Sequence, residues 1–172
     1  MTAGGRKLAL TAHVTSSLGW FGAVVGFLVL AIAGLTSRDP LRARASYLAM
    51  ELIYRWAIVP LCVASLASGV VLSLGTPWGL VRHHWVVVKL VITAISTVVL
   101  IIHLQPMGQL ADAAAHQVLA PADLRGLRIQ LTIDAGAALA ALIVATVLSV
   151  YKPRGTVPLL SRSGLTEPSN LA

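Results

Sequence analysis

Charged residues are scarce in this sequence of 172 residues. Aspartate, glutamate, lysine and arginine together make up 11% of it, hydrophobic residues make up 57%, and the mean hydropathy is +0.85. A soluble domain usually carries about 25% charged residues, because charged side chains must cover a surface that faces water. The shortage of charge therefore excludes a soluble enzyme, a disordered chain and a domain that binds nucleic acid.

Cysteine and acidic residues are also rare. Cys62 is the single cysteine, which excludes an intramolecular disulfide bond and a metal site built from several cysteines. Six acidic residues stand against thirteen basic ones, and the net charge is +7. In a chain this apolar, the basic excess indicates the phosphates of a lipid bilayer as the partner rather than DNA.

Long apolar runs are what the sequence has in abundance. Four of them reach about 20 residues, the length that an α-helix needs to cross a bilayer core. They cover residues 12–35, 48–74, 85–104 and 129–151. Backbone groups inside a bilayer must hydrogen-bond within the chain, and the runs lack the alternating polarity of strands. The sequence therefore predicts an all-α integral membrane bundle of four transmembrane helices, placed as a multi-pass protein in a cell membrane.

These helices form one predicted domain over residues 1–155, followed by a polar flexible tail over residues 156–172. An even number of spans places both termini on the same side, here named side A. The first run is too long for the apolar part of a signal peptide, so we expect a retained helix. A short interfacial helix is expected within residues 107–119.

The basic residues favour neither orientation of these helices. Side A carries Arg6, Lys7, Arg82, Lys89, Lys152, Arg154 and Arg162. The opposite side, side B, carries Arg38, Arg42, Arg44, Arg55, Arg125 and Arg128. Seven against six is too even for the positive-inside rule to decide between the two orientations.

Helical periodicity gathers polar residues onto one stripe of the third helix and one face of the first. The stripe consists of Arg82, Trp85, Lys89, Thr93, Ser96 and His103. The face of the first helix consists of His13, Ser16, Ser17, Trp20, Val24 and Phe27. Another face of the first helix carries Gly22-x-x-x-Gly26, a motif of close helix packing. We expect both polar faces to point at other helices.

A candidate cofactor site lies near side A, between the first and third helices. His13 lies about one turn into the first span, and His83 and His84 lie at a matching depth on the third helix. Two neutral imidazoles on separate helices are what a bis-histidine haem b requires, and Arg82 and Lys89 are candidate counter-ions for its propionates.

The same pair, His13 and His84, is also the candidate metal site. The alternative is that these histidines are interfacial and bind water and headgroups, while Arg82 and Lys89 extend to lipid phosphates.

A second polar cluster is expected within the membrane near side B. Glu51 and Arg55 are four residues apart, in the favourable order for a helical salt bridge. His103 ends the third helix and Asp134 lies near the start of the fourth, at a similar depth. Such a cluster can relay protons or bind a polar group. The alternative is a structural network at helix ends, in which Arg55 with Asp134 is the expected interhelical pair.

The pattern His13-x6-Trp20-x-Gly22 resembles the start of copper-resistance D type membrane domains. Other elements that fit are Gly69 and the segment Thr76-Pro77-Trp78-Gly79 running into Trp85 and Lys89. The whole chain is more similar to a group of uncharacterised small membrane proteins from actinobacteria, related to a predicted integral-membrane family of unknown function. In that group the last helix ends in a Tyr-Lys-Pro-x-Gly element, here Tyr151 to Gly155.

This resemblance spans about residues 10–155 and implies the four-helix fold and an actinobacterial inner membrane. The copper-resistance type also implies copper movement into or across the membrane. The chain departs from that type because it lacks clustered methionine and cysteine.

Three functions follow as alternatives from the sequence. The first is a small protein that binds haem b or a metal, and the second is a protein of copper or proton transport. The third is a non-catalytic accessory subunit of a larger membrane complex, or a homo-oligomer. No nucleotide loop, zinc signature or nucleophile motif is readable, so an enzyme is not favoured.

Overall fold

The computed structural model describes residues 1–75, 84–116 and 122–151, and every regular element within those ranges is helical. The α-helices are α1 (Ala3–Thr36), α2 (Pro40–Ile53), α3 (Val59–Gly75), α4 (His84–Ile102), α5 (Leu104–Ala115) and α6 (Ala122–Tyr151). A π-helical turn, Tyr54–Ile58, makes α2 and α3 one continuous stretch. The predicted tail lies outside the described residues.

Four helical stretches are long and apolar enough to cross a membrane. They are Ala3–Thr36, Pro40–Gly75, His84–Ile102 and Leu124–Tyr151. The predicted all-α bundle of four membrane helices is therefore confirmed, and the chain is a multi-pass membrane protein.

The first two helices begin well before the apolar runs, because polar residues cap them. The Thr2 hydroxyl accepts a hydrogen bond from the Gly5 N–H at 3.2 Å, and the Asp39 carboxylate accepts one from the Leu41 N–H at 3.0 Å. Pro40 occupies the first helical position, where its missing N–H has no cost. Residues 40–47, predicted to lie outside the second span, are thus helical.

Pro60 is accommodated by the π-helical turn that precedes it. Proline has no N–H to donate, and its ring crowds the carbonyl four residues earlier, here that of Trp56. Widening the helix over Tyr54–Ile58 relieves this crowding and lets the helix continue to Gly75.

The third span ends at Ile102, two residues before its predicted end. His103 forms a turn, and the next helix starts at Leu104, so Pro106 lies in the first turn of α5. The expected interfacial helix is α5, which ends at Ala115. Residues 117–119 of the expected helix lie outside the described residues.

The spans are arranged around the bundle in chain order. α1 packs against α2, α3 and α6, and α4 packs against α3 and α6. Within the described residues, the backbone of α1 does not approach that of α4, and the backbone of the second span does not approach that of α6. The first and third spans therefore lie across one diagonal and the second and fourth across the other.

The shortest span shows how the bundle relates to the bilayer. With 19 residues, α4 is about 28 Å long, close to the thickness of a bilayer core, whereas the 34 residues of α1 extend about 51 Å. The Tyr54 hydroxyl donates to the Leu100 carbonyl near the end of α4, and we therefore expect the side-B boundary of the bilayer to cross the second span close to Tyr54.

The last turns of α1, all of α2 and α5, and the first turns of α6 therefore extend past this boundary. We name this part of the protein the side-B cap.

The side-B cap contains the most tightly packed part of the core. Tyr47, Met50, Met107 and Leu110 are each at most 1% exposed. By contrast, Val86 is the only buried residue among the described residues of α4. Water drives apolar side chains together in the cap, whereas lipid gives membrane helices no comparable hydrophobic reason to associate.

Arg128 of α6 links α1 and α2 within the side-B cap. Its Nε donates to the Tyr47 hydroxyl at 2.5 Å, and its terminal NH₂ group donates to the Gly34 carbonyl at 2.9 Å. Gly34 leaves room for the Tyr47 ring, because a Cβ there would lie 2.7 Å from Tyr47 Cζ. The close approach thus occurs at Gly34 and not at the predicted motif, where an added Cβ would meet nothing within 4 Å at Gly22 and only Ile53 Cδ1, at 4.0 Å, at Gly26.

We expect Gly34→Ala to lower the free energy of unfolding by about 1–3 kcal/mol, because the new methyl group overpacks the Tyr47 ring. Denaturant unfolding of the detergent-solubilised protein measures this change. Gly22→Ala, on the same helix with open space around it, is the matched control and should stay within about 0.5 kcal/mol of the wild type. Equal losses for the two variants would contradict the packing at Gly34.

Candidate functional site

Two cavities lie between the transmembrane helices, one above the other along the bundle. The one near side A, about 590 Å³, is named the basic cavity, and the one near side B, about 300 Å³, is named the apolar cavity. The predicted polar stripe of α4 faces both, since Trp85, Lys89 and Thr93 line the basic cavity while Ser96 and His103 line the apolar cavity.

The predicted face of α1 divides in the same way. His13 lines the basic cavity, and Trp20, Val24 and Phe27 line the apolar cavity. The two diagonal helices therefore present their polar or aromatic faces to the space between them. This is the arrangement expected of helices that keep polar groups away from lipid.

The basic cavity is lined by three cationic side chains. Arg6 and Lys7 come from the first turns of α1, and Lys89 comes from α4; no aspartate or glutamate is among the described residues that line it. Lys89 Nζ donates to the Ser149 hydroxyl at 2.5 Å and lies 5.9 Å from the centre of the Trp85 ring. Cations that converge on a cavity with low-dielectric walls attract an anion.

His13 is held in one orientation inside the basic cavity. Its Nδ1 lies 3.0 Å from the Ser65 carbonyl oxygen and 3.1 Å from the Ser68 hydroxyl. A carbonyl only accepts, so Nδ1 carries the proton, and Nε2 of the neutral ring keeps its lone pair. Gly69 permits this contact, because a Cβ there would lie 3.2 Å from His13 Cε1. A histidine fixed this way has the tautomer of a metal or haem ligand.

The structure brings together only part of the predicted haem site. His13 and Lys89 line the same cavity. His84 is exposed at the start of α4 and is not among the residues lining that cavity. Arg82 and His83 lie outside the described residues. Within the described ranges, no group of three or more histidine, cysteine, aspartate or glutamate side chains is placed to hold a metal ion.

Arg6 and Lys7 are the site residues that sequence reasoning missed. In the sequence they count only among the basic residues of side A. Their spacing could have identified them in the sequence, because Arg6 lies seven residues before His13 and residues seven apart share a helix face. Both belong to the cavity because α1 begins at Ala3, nine residues before the first apolar run.

The side-B cluster forms two separate pairs. Arg55 Nε lies 2.9 Å from Glu51 Oε1, as their spacing predicts, and the Arg55 side chain is 59% exposed. Asp134 Oδ2 lies 2.9 Å from His103 Nε2. The expected interhelical pair of Arg55 with Asp134 is therefore wrong. The reason is the order of the helices, because the second and fourth spans lie across a diagonal whereas α4 and α6 are neighbours.

The contact between His103 and Asp134 is suited to holding a proton. His103 Nδ1 lies 2.8 Å from the Val99 carbonyl and must donate to it, so the second ring nitrogen, Nε2, faces the carboxylate. Asp134 Oδ2 is buried and lies at ion-pair distance from Nε2, but outside hydrogen-bond geometry. A proton at this contact can reside on the ring or on the carboxyl group.

Aromatic side chains line the apolar cavity next to this pair. They are Trp20, Phe27 and Tyr54, and most of the remaining lining is aliphatic. The Tyr54 hydroxyl is occupied by its bond to the Leu100 carbonyl. Trp20 is 2% exposed, and its Nε1 is buried without a hydrogen-bond partner.

Comparison with known proteins adds no relative. No family model, no curated protein and no solved structure matches this chain. The resemblance to copper-resistance D type domains and to actinobacterial membrane proteins therefore stays a prediction.

We expect the two side-B pairs to differ in how strongly their members are coupled. A double-mutant cycle on His103→Gln and Asp134→Asn should give a coupling energy of about 1 kcal/mol, as for polar contacts between membrane helices. The cycle on Glu51→Gln and Arg55→Gln should give about 0.5 kcal/mol or less, because the pair is exposed. Unfolding in mixed micelles measures both, and a His103–Asp134 coupling near zero would contradict the contact.

Proposed function

We propose that this membrane protein binds an amphipathic anion in the basic cavity, and that the ligand is haem b held through His13. The observation that carries the proposal is the meeting of two features in one cavity. His13 is oriented with a lone pair on Nε2, and three cations line the same space without a carboxylate among the described residues.

The size and lining of the cavity suit a molecule with an apolar body and acidic groups. A volume of about 590 Å³ lies within the range of small-molecule sites. Leu10, Leu66 and Val86 supply apolar contacts for a macrocycle. Arg6 and Lys7, at the side-A end of α1, are suited to the two propionates, since charge-assisted hydrogen bonds to carboxylates are strong.

In this proposal His13 would hold the haem iron through Nε2. The hydrogen bond from Nδ1 to the Ser65 carbonyl fixes the plane of the ring and would raise its basicity, as second partners of ligand histidines do. His84 would not hold the iron, because it is exposed and does not line the cavity.

The absorption spectrum of the purified protein, oxidised and then reduced with dithionite, tests the proposal. Protein from cells supplied with haem should show a Soret band and, when reduced, sharp α and β bands. His13→Ala should lose these bands, because it removes the iron ligand. His84→Ala and His116→Ala, which change exposed histidines, should keep them. A featureless wild-type spectrum, or bands that survive His13→Ala, would overturn haem binding at His13.

A second candidate function, proton movement through the side-B half of the bundle, is favoured by the contact of His103 with Asp134. In liposomes that hold a pH gradient, the wild-type protein should dissipate the gradient faster than empty liposomes do. Asp134→Asn should abolish this activity because an amide cannot take up the proton. Glu51→Gln, which changes the other acidic residue of the cluster, should retain it, and equal rates for both variants would contradict the assignment.

A further inference from the structure

The apolar cavity is lined by two residues that each carry a buried polar atom without a hydrogen-bond partner, and one of these atoms, Asp134 Oδ2, lies at ion-pair distance from His103 Nε2. Among the described residues, the buried side-chain nitrogen and oxygen atoms without a hydrogen-bond partner are Trp20 Nε1 and Asp134 Oδ2. Both residues line this one cavity. A buried N–H group that has no acceptor costs free energy, so the indole of Trp20 calls for an acceptor from outside the chain.

A water molecule is poorly suited to be the hydrogen-bond acceptor for the Trp20 indole. A buried water molecule needs two to four polar partners, and most of the walls are aliphatic or aromatic. The Tyr54 hydroxyl already donates to the Leu100 carbonyl, and His103 Nδ1 donates to the Val99 carbonyl. A space of about 300 Å³ with these walls is better filled by an apolar molecule that carries its own acceptor.

The walls of the apolar cavity favour a ligand that contains a flat ring. Phe27 and Tyr54 lie with ring centres 5.9 Å apart, and with Trp20 they give the cavity three aromatic side chains. Opposite them, α6 contributes Ala138 and Ala141, whose small side chains leave space. Planar conjugated molecules gain from stacking against aromatic surfaces of this kind.

The cavity is open toward the lipid between α4 and α6. Ile95 of α4 lines it and is 59% exposed, and Ala137 of α6 lines it and is exposed as well. Few other side chains of these two helices are buried. A ligand dissolved in the bilayer can therefore enter from the side.

We propose that the apolar cavity binds the head ring of a lipophilic quinone. One carbonyl oxygen accepts from Trp20 Nε1, and the ring stacks among the aromatic side chains. The second carbonyl is directed toward the pair of His103 and Asp134, which carries a proton at the side-B boundary. This site is separate from the basic cavity and does not depend on haem.

Binding of menadione and of 2-methylnaphthalene to the protein in detergent solution tests the proposal. The two molecules share the same fused ring, and only menadione has carbonyl oxygens. Isothermal titration should show that the wild type binds menadione about tenfold more tightly or better, since a hydrogen bond to a buried unpaired donor is gained. Trp20→Phe keeps an aromatic ring without the N–H, and should lose this preference.

Trp56→Phe is the matched control, because Trp56 is 74% exposed and does not line the cavity. It should bind both molecules as the wild type does. A preference for menadione that survives Trp20→Phe, or a wild type without any preference, would overturn the proposal.

A second variant keeps the test independent of how well Trp20→Phe folds. Ala138→Leu adds bulk to the cavity wall on α6 and leaves Trp20 intact. This substitution should weaken the binding of both molecules by about tenfold or more, because the leucine side chain occupies the space that the ring needs. Unchanged binding of both molecules to this variant would place them outside the apolar cavity and overturn the proposal.

Discussion

Arg128 joins three helices at one point beyond the bilayer core. Its guanidinium lies on α6, donates to the Tyr47 hydroxyl on α2 and to the Gly34 carbonyl on α1, and lies 5.1 Å from the centre of the Tyr47 ring. Around it, Met50, Met107 and Leu110 form a closely packed core. The hydrophobic effect acts on this part of the protein, because here the alternative to burial is contact with water.

The membrane-spanning part of the bundle depends on these contacts of Arg128, because its own helices pack loosely. Among the described residues, α4 buries one side chain, and about half of the apolar residues of α4 and α6 are exposed. Polar contacts such as Lys89 with Ser149 and His103 with Asp134 join these two helices near opposite ends of α4. Because α4 and α6 are joined near both ends of α4 and pack loosely between those contacts, space remains for the two cavities. Gaps between these helices on the lipid side give access to the cavities.

The periodicity of the sequence was sufficient to predict the spans and the faces that line the cavities. The polar stripe of α4 and the face of α1 from His13 to Phe27 can be read at 100° per residue without knowledge of any neighbour. The partner of Asp134 could not be read in this way. It depends on which helices are adjacent, and only the folded bundle shows that α6 lies beside α4 rather than beside the second span.

The helical start of the second stretch, residues 40–47 in the side-B cap, was missed for a related reason. These residues mix basic, polar and apolar side chains, so their hydropathy resembles that of a loop. Caps such as Asp39, and burial against neighbouring helices, make them helical. Glycine was misread as well, because Gly22 and Gly34 look alike in sequence, and only the position of the Tyr47 ring distinguishes them.

The central claim of this account is the order of the spans, because it decides which residues face each cavity. Crosslinking of paired cysteines in membranes with a short bifunctional thiol reagent tests it most directly, with Cys62 first replaced by serine so that no other thiol is present. Cysteines at positions 89 and 149 should be joined by the reagent, because the Lys89 side chain spans the distance to Ser149. Cysteines at positions 55 and 134, on diagonal helices, should not. A crosslink between 55 and 134 with none between 89 and 149 would contradict the account.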